Sequence, residues 1–169
     1  MRTSMLQAVL AVTLVGIACS DDVTPPVTAF EASLLGANEV PAVSSTAGAT
    51  GTFNLVGGSG GTDSVSYTLT ITSPTGTAVT QAHIHTGNAG ATGGISVWLC
   101  TTAGVTGAPA GTPTCAAGVG LANGVLVTGK MPLTAANVTS MRAFGTYANI
   151  HTTANTTGEI RGQLRVVGN

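Results

Sequence analysis

The chain has 169 residues, a formal net charge of −1 and only 7% charged residues, far below the roughly 25% typical of soluble domains. Arg2, Lys130, Arg142, Arg161 and Arg165 are the only basic side chains, so no basic run exists to neutralise phosphates, and nucleic acid is excluded as a partner. Disorder is excluded as well, because it couples low hydrophobicity to high net charge, whereas 43% of these residues are hydrophobic. Much of the remainder is Thr, Ser, Gly and Asn, residues of strands and turns. One all-β domain behind a leader fits this length.

Residues 1–18 read as a signal peptide: Arg2 supplies a positive start, and Met5 to Ala18 is an apolar run too short for the roughly 20 residues a bilayer needs. Residues 19–27 follow as a tether, with Cys19 first and then a polar, proline-stiffened Ser20-Asp21-Asp22-Val23-Thr24-Pro25-Pro26. Leu14-Val15-Gly16-Ile17-Ala18-Cys19 resembles the bacterial lipoprotein signal, although Gly16 stands where that signal usually has Leu. The resemblance implies lipidation of Cys19, export, and a membrane-anchored place in the bacterial cell envelope; cleavage nearby and plain secretion is the alternative. With Cys19 spent on lipid, Cys100 and Cys115 remain as an even pair. A disulfide between them would suit an oxidising compartment and stabilise by about 3 kcal/mol in the chain-entropy model.

From residue 28 to 169 the chain falls into strand-like runs separated by turn clusters. Phe30–Leu35 is the first, followed by a loop with Asn38-Glu39-Val40-Pro41, a weakly alternating Gly48–Val56, and a glycine-rich turn over Gly57–Gly61. Ser64–Thr72 alternates cleanly, with Val65, Tyr67, Leu69 and Ile71 opposite Ser66, Thr68, Thr70 and Thr72, as in an antiparallel strand with one solvated face. Val79–His85 and Ile95–Cys100 are strands around a Gly-rich loop; in the latter, Val97 and Leu99 oppose Ser96 and Trp98. Thr101–Gly118 is loop, Val119–Lys130 is strand-like, and Thr134 N-caps a short helix to Met141. About eight or nine short strands at this spacing indicate an antiparallel β-sandwich with one short helix.

The last stretch, Gly145–Val167, reads as two strands around a polar turn at Asn155–Gly158. Because side chains alternate faces, Tyr147, Asn149 and His151 share one face, and Glu159, Arg161 and Gln163 share another. In the Val79–His85 strand His83 and His85 likewise stand together, with Ile84 behind them. The three histidines of the chain thus share one pattern. A hydrogen-bonded ladder of these polar groups, with Glu159 and Arg161 in charge-assisted bonds, asks least of them. Alternatively His83, His85 and His151 form a three-imidazole site for copper or zinc, with Glu159 or Asn149 orienting a ligand. No catalytic residue stands out: Asp63 is the only aspartate of the folded part, and the glutamates offer no predictable pair.

Four stretches, taken together, resemble the CHRD domain found in chordin and in microbial secreted proteins. They are Leu35-Gly36-Ala37-Asn38-Glu39-Val40-Pro41, Ala82-His83-Ile84-His85-Thr86-Gly87, Tyr147-Ala148-Asn149-Ile150-His151-Thr152 and Gly158-Glu159-Ile160-Arg161-Gly162-Gln163. Ala42 departs from the second proline often found there. The resemblance implies an immunoglobulin-like sandwich and no general reaction. The expectation is a non-enzymatic binding or structural module facing a protein or glycan partner, with a three-histidine metal-binding domain of redox or hydrolytic activity as the runner-up.

Overall fold

Alternation of apolar and small polar residues builds nine antiparallel strands in the computed structural model, which describes residues 27–57, 63–116 and 124–168. The expected signal peptide, Cys19 with most of the expected tether, most of the Gly57–Gly61 turn and the start of the Val119–Lys130 run lie outside the described residues. The strands are β1 (Ala29–Leu35), β2 (Gly48–Val56), β3 (Ser64–Ser73), β4 (Val79–Thr86), β5 (Ile95–Thr101), β6 (Gly124–Pro132), β7 (Thr146–Thr152), β8 (Ile160–Gln163) and β9 (Arg165–Val166). Helix α1 (Ala135–Arg142) starts one residue after its expected cap. Thr134 and Asn137 exchange hydrogen bonds there in a reciprocal capping box, which satisfies donors the first turn leaves free.

The expected all-β, antiparallel architecture with nine strands and one short helix is present. Its hydrogen bonding is continuous rather than divided: the strands form a single sheet in the order β5-β4-β7-β8-β1-β2-β3-β6, with β9 on β1. This sheet folds over on itself around one core of Phe30, Phe53, Leu69, Ile71, Ile84 and Ile150, all essentially buried. Burying each such side chain is worth about 1.5–3 kcal/mol.

The two ends of the sheet, β5 and β6, are joined by the segment 113–116. Thr101 N–H donates to Pro113 O and Cys115 N–H to Thr101 O, while Ala116 N–H donates to Leu126 O of β6. The Cys100–Cys115 disulfide fastens the same segment to β5. Tyr67 adds a stitch through the interior, its hydroxyl donating to Leu99 O at 2.6 Å; burial pushes this phenol up to about 12. The result is a nearly closed barrel.

Strict alternation would turn Cys100 outward with Ser96 and Trp98. The β4–β5 register slips between Ala82 and His83, so Leu99 is a bulged residue, and both Leu99 and Cys100 are fully buried. A bulge of this kind puts two residues opposite one and re-aims the side chains that follow. It also leaves the Leu99 carbonyl free for Tyr67.

Candidate metal centre

β7 runs between β4 and β8, and every one of its residues is buried. Ala148 and Ile150 face the apolar core, while Tyr147, Asn149 and His151 lie on the opposite, outer side with His83, His85 and Arg161. That outer side is not solvated. Residues 87–94 and the 153–158 turn close over it and supply backbone carbonyls that its side chains bond, and the Asn38–Pro41 loop is tied to it through the Asn38 amide. The polar face is therefore a second, hydrophilic core.

The β4–β7 register brings His83 opposite Asn149 and Gln81 opposite His151. His83, His85 and His151 are each buried, and one ring nitrogen from each lies within 4.8 Å of the others. Tautomers follow from the partners, since a carbonyl only accepts. His85 Nδ1–H donates to Gly93 O and His151 Nδ1–H to Thr156 O, both at 2.9 Å. Each neutral ring is thereby left with its lone pair on Nε2. His83 Nδ1–H then donates to His151 Nε2 at 3.3 Å. The Nε2 atoms of His83 and His85 and the Asn149 Oδ1 are buried without a hydrogen-bond partner among the described residues.

Electrostatics keep these rings neutral. Burial, then the neighbouring imidazoles of His151 and His85, pushes His83 down to about 3. Burial also lowers His85, against the raising effect of Gly93 O and Asn149, and the Arg161 charge lowers it further. His151 is lowered mainly by burial. Aromatic neighbours enclose the cluster: Trp98 meets His83 edge-on at 4.3 Å between centroids, and Tyr147 stacks on His85 at 5.0 Å with an interplanar angle of 4°. The Arg161 guanidinium lies over the Tyr147 ring, 4.1 Å from its centroid.

Among the remaining expected members, the histidines are bonded to backbone carbonyls and to each other, while Glu159 and Arg161 reach different partners. Glu159 accepts from the Ser45 and Thr152 hydroxyls at 2.7 and 2.6 Å, Arg161 donates to Ala91 O, and Gln163 donates to Gly87 O and Phe144 O. Their bonds are charge-assisted or to backbone, and they tie the covering loops to β8. Residues that alternation did not single out are Trp98, placed on His83 by the β5 bulge, and Glu39. Asn38 donates its amide to Arg161 O, which brings Glu39 over Gly158. A Cβ at Gly158 would lie 2.7 Å from Glu39 Oε1 and 3.1 Å from Asn149 Nδ2, and its φ of +130° independently favours glycine. The Asn-Glu-Val-Pro stretch was the only sequence signal for Glu39.

The CHRD domain family matches residues 30–164, a span that contains all three histidines, Glu39 and Arg161. No curated protein and no solved structure matches the chain. The chain belongs to the CHRD family.

Proposed function

We propose that this CHRD domain is a metal-binding module of the bacterial cell envelope in which His83, His85 and His151 hold one copper or zinc ion. The observation that carries it is the pinning of two imidazoles by backbone carbonyls, with their lone pairs left on Nε2 within a buried cluster of three histidines. Metal-bound histidines almost always give their other N–H to such an acceptor. Imidazoles without thiolates suit copper and zinc. At a metal–nitrogen distance of about 2.0–2.1 Å, neighbouring ligands of a tetrahedral ion stand about 3.3 Å apart, the separation of His83 Nδ1 and His151 Nε2. The unpartnered Asn149 Oδ1 is available to orient a water at a fourth position.

The same 3.3 Å contact favours a second reading, a purely structural network in a non-enzymatic binding module, in which a proton sits where the metal would. Elemental analysis of the purified chain separates the two. Near one equivalent of copper or zinc is expected, with loss of metal and of chelator-sensitive thermal stability in a His83→Ala, His151→Ala double variant. Trp98 is the only tryptophan and touches His83, so Cu(II) is expected to quench its emission whereas zinc leaves it unchanged. Metal at background level after loading with either ion, with no chelator effect, leaves the structural network.

Envelope anchoring belongs to the same proposal and rests on the Cys19 signal. Replacing Cys19 with Ser is expected to release the protein from the membrane fraction, and globomycin to accumulate the unprocessed form. Continued membrane association of Cys19→Ser rules the lipid anchor out.

A further inference from the structure

Beside the histidine cluster, on the outer side of β1 and β8, lies a cleft of about 810 Å³, a volume in the range of small-molecule sites. Its walls include Asn38 and Glu39 from one loop, Ala89 and Gly90 from another, and Arg161 from β8. Arg161 is 3% exposed, yet its guanidinium pairs with no carboxylate among the described residues. One N–H reaches Ala91 O at 2.9 Å and the plane rests on Tyr147, out of five N–H donors. An interior cation without a counter-ion is costly. Glu39 is the nearby candidate, but its Oε1 is buried without a partner, and burial pushes its carboxyl up to about 7 against the lowering effects of Arg161 and of the Val40 N–H. It is therefore half protonated at neutrality and able to donate.

We propose that this cleft binds a carboxylate-bearing ligand, gripped by the Arg161 guanidinium and the Glu39 carboxyl. A planar carboxylate matches the fork of an arginine through two parallel N–H bonds. The second oxygen of such a ligand would accept from the protonated carboxyl of Glu39, which lines the same cleft. The other charged groups facing Glu39 across the cleft are Glu31 of β1 and Arg165 of β9, which offset one another, so Arg161 remains the net positive feature. Towards β7, Glu39 Oε1 and the neutral Asn149 amide both border the space that a Cβ at Gly158 would fill. One line of contact runs inward from the cleft, Arg161–Tyr147–His85, but the site needs no metal.

The test uses the full chain stripped of metal, so that its outcome is independent of the metal-binding proposal. N-acetylglycine and its amide, N-acetylglycinamide, are titrated at pH 6 and pH 8 by calorimetry. The acid is expected to bind at millimolar concentration and the amide at least about tenfold more weakly, the loss of a charge-assisted bidentate bond. With Glu39 at about 7, its protonated fraction and hence acid affinity are expected to fall about tenfold between those pH values. Glu39→Gln mimics the protonated carboxyl and is expected to hold the pH 6 affinity at pH 8. Arg161→Lys is expected to lose about tenfold or more, since an ammonium lacks the fork. If that variant misfolds, Glu39→Gln still decides the matter. Equal binding of acid and amide, equal binding of sulfate, no binding of the acid, or an unaltered pH dependence in Glu39→Gln each overturns the proposal.

Discussion

Replacing Gly162 with alanine is expected to cost about 3 kcal/mol or more of unfolding free energy, at the upper end of overpacking effects. β8 crosses β1 so closely that a Cβ at Gly162 would sit 2.2 Å from Ser33 O and 2.7 Å from Ser33 C. Both obstacles are backbone, so no rotamer change relieves them. β1 and β8 share one paired position, Leu35 with Arg161, which leaves little ladder to hold the two strands if they are pushed apart. β8 carries Arg161, and Glu159 immediately precedes it. Parting of β8 from β1 therefore also loosens the Asn38 amide bond to Arg161 O and the placement of Glu39. Urea unfolding followed by Trp98 emission checks this: a midpoint lowered by about 3 kcal/mol divided by the slope, at unchanged slope, is expected. A loss below about 1 kcal/mol would show that β1 moves freely at this crossing.

Acid is expected to destabilise the metal-free protein by several kcal/mol, starting well above the pH at which carboxylates usually protonate. The sign follows from linkage. His83 titrates at about 3 in the folded chain against 6.5 in the unfolded one, so below 6.5 the unfolded state binds the extra proton and stability falls until about pH 3. His85 and His151, also lowered, act in the same direction. Glu39 opposes them: raised from 4.5 to about 7, it binds its proton preferentially in the folded state. Its contribution is complete below 4.5 and lost as pH rises to about 7. Three imidazoles outweigh one carboxyl, and below pH 4.5 they act unopposed. Stability measured by urea at pH 8, 7, 6, 5 and 4 is expected to peak near neutrality and fall on the acid side. Glu39→Gln, which removes the opposing carboxyl, is expected to steepen the fall between pH 7 and 4.5 while leaving the slope below 4.5 unchanged. A profile flat from pH 7 to pH 4 would contradict the burial of neutral histidines. A bound metal adds stability by mass action, and acid removes that increment as the ligands protonate.

Local pattern alone carries much of this molecule. The period-2 alternation of Ser64–Ser73 appears in the fold with Val65, Tyr67, Leu69 and Ile71 all buried. The same rule put His83, His85, Asn149, His151 and Arg161 on the outward faces of their strands, because the pleat is a property of consecutive residues. The Thr134 cap and the pairing of Cys100 with Cys115 were readable for similar reasons: one depends on neighbours three residues apart, the other on counting. The four motif stretches pointed to the family.

Tertiary structure decided the rest. Alternation names a face and not its environment, so nothing in Tyr147–Thr152 reveals that loops from three distant parts of the chain bury its polar side. His83 and His151 are 68 residues apart, and their meeting depends on the β4–β7 register, which is set by sheet pairing and not by either segment. The bulge at Leu99 that seats Trp98 on His83 and turns Cys100 inward is likewise a product of mismatch between two strands. Glu39 becomes a buried acid beside Arg161 only because Asn38 is anchored to β8 and Gly158 leaves room. Which polar residues face outward is a local matter of backbone period. Whether that outward side is water or a second core is settled by long-range closure, and the chemistry of the three histidines depends on it.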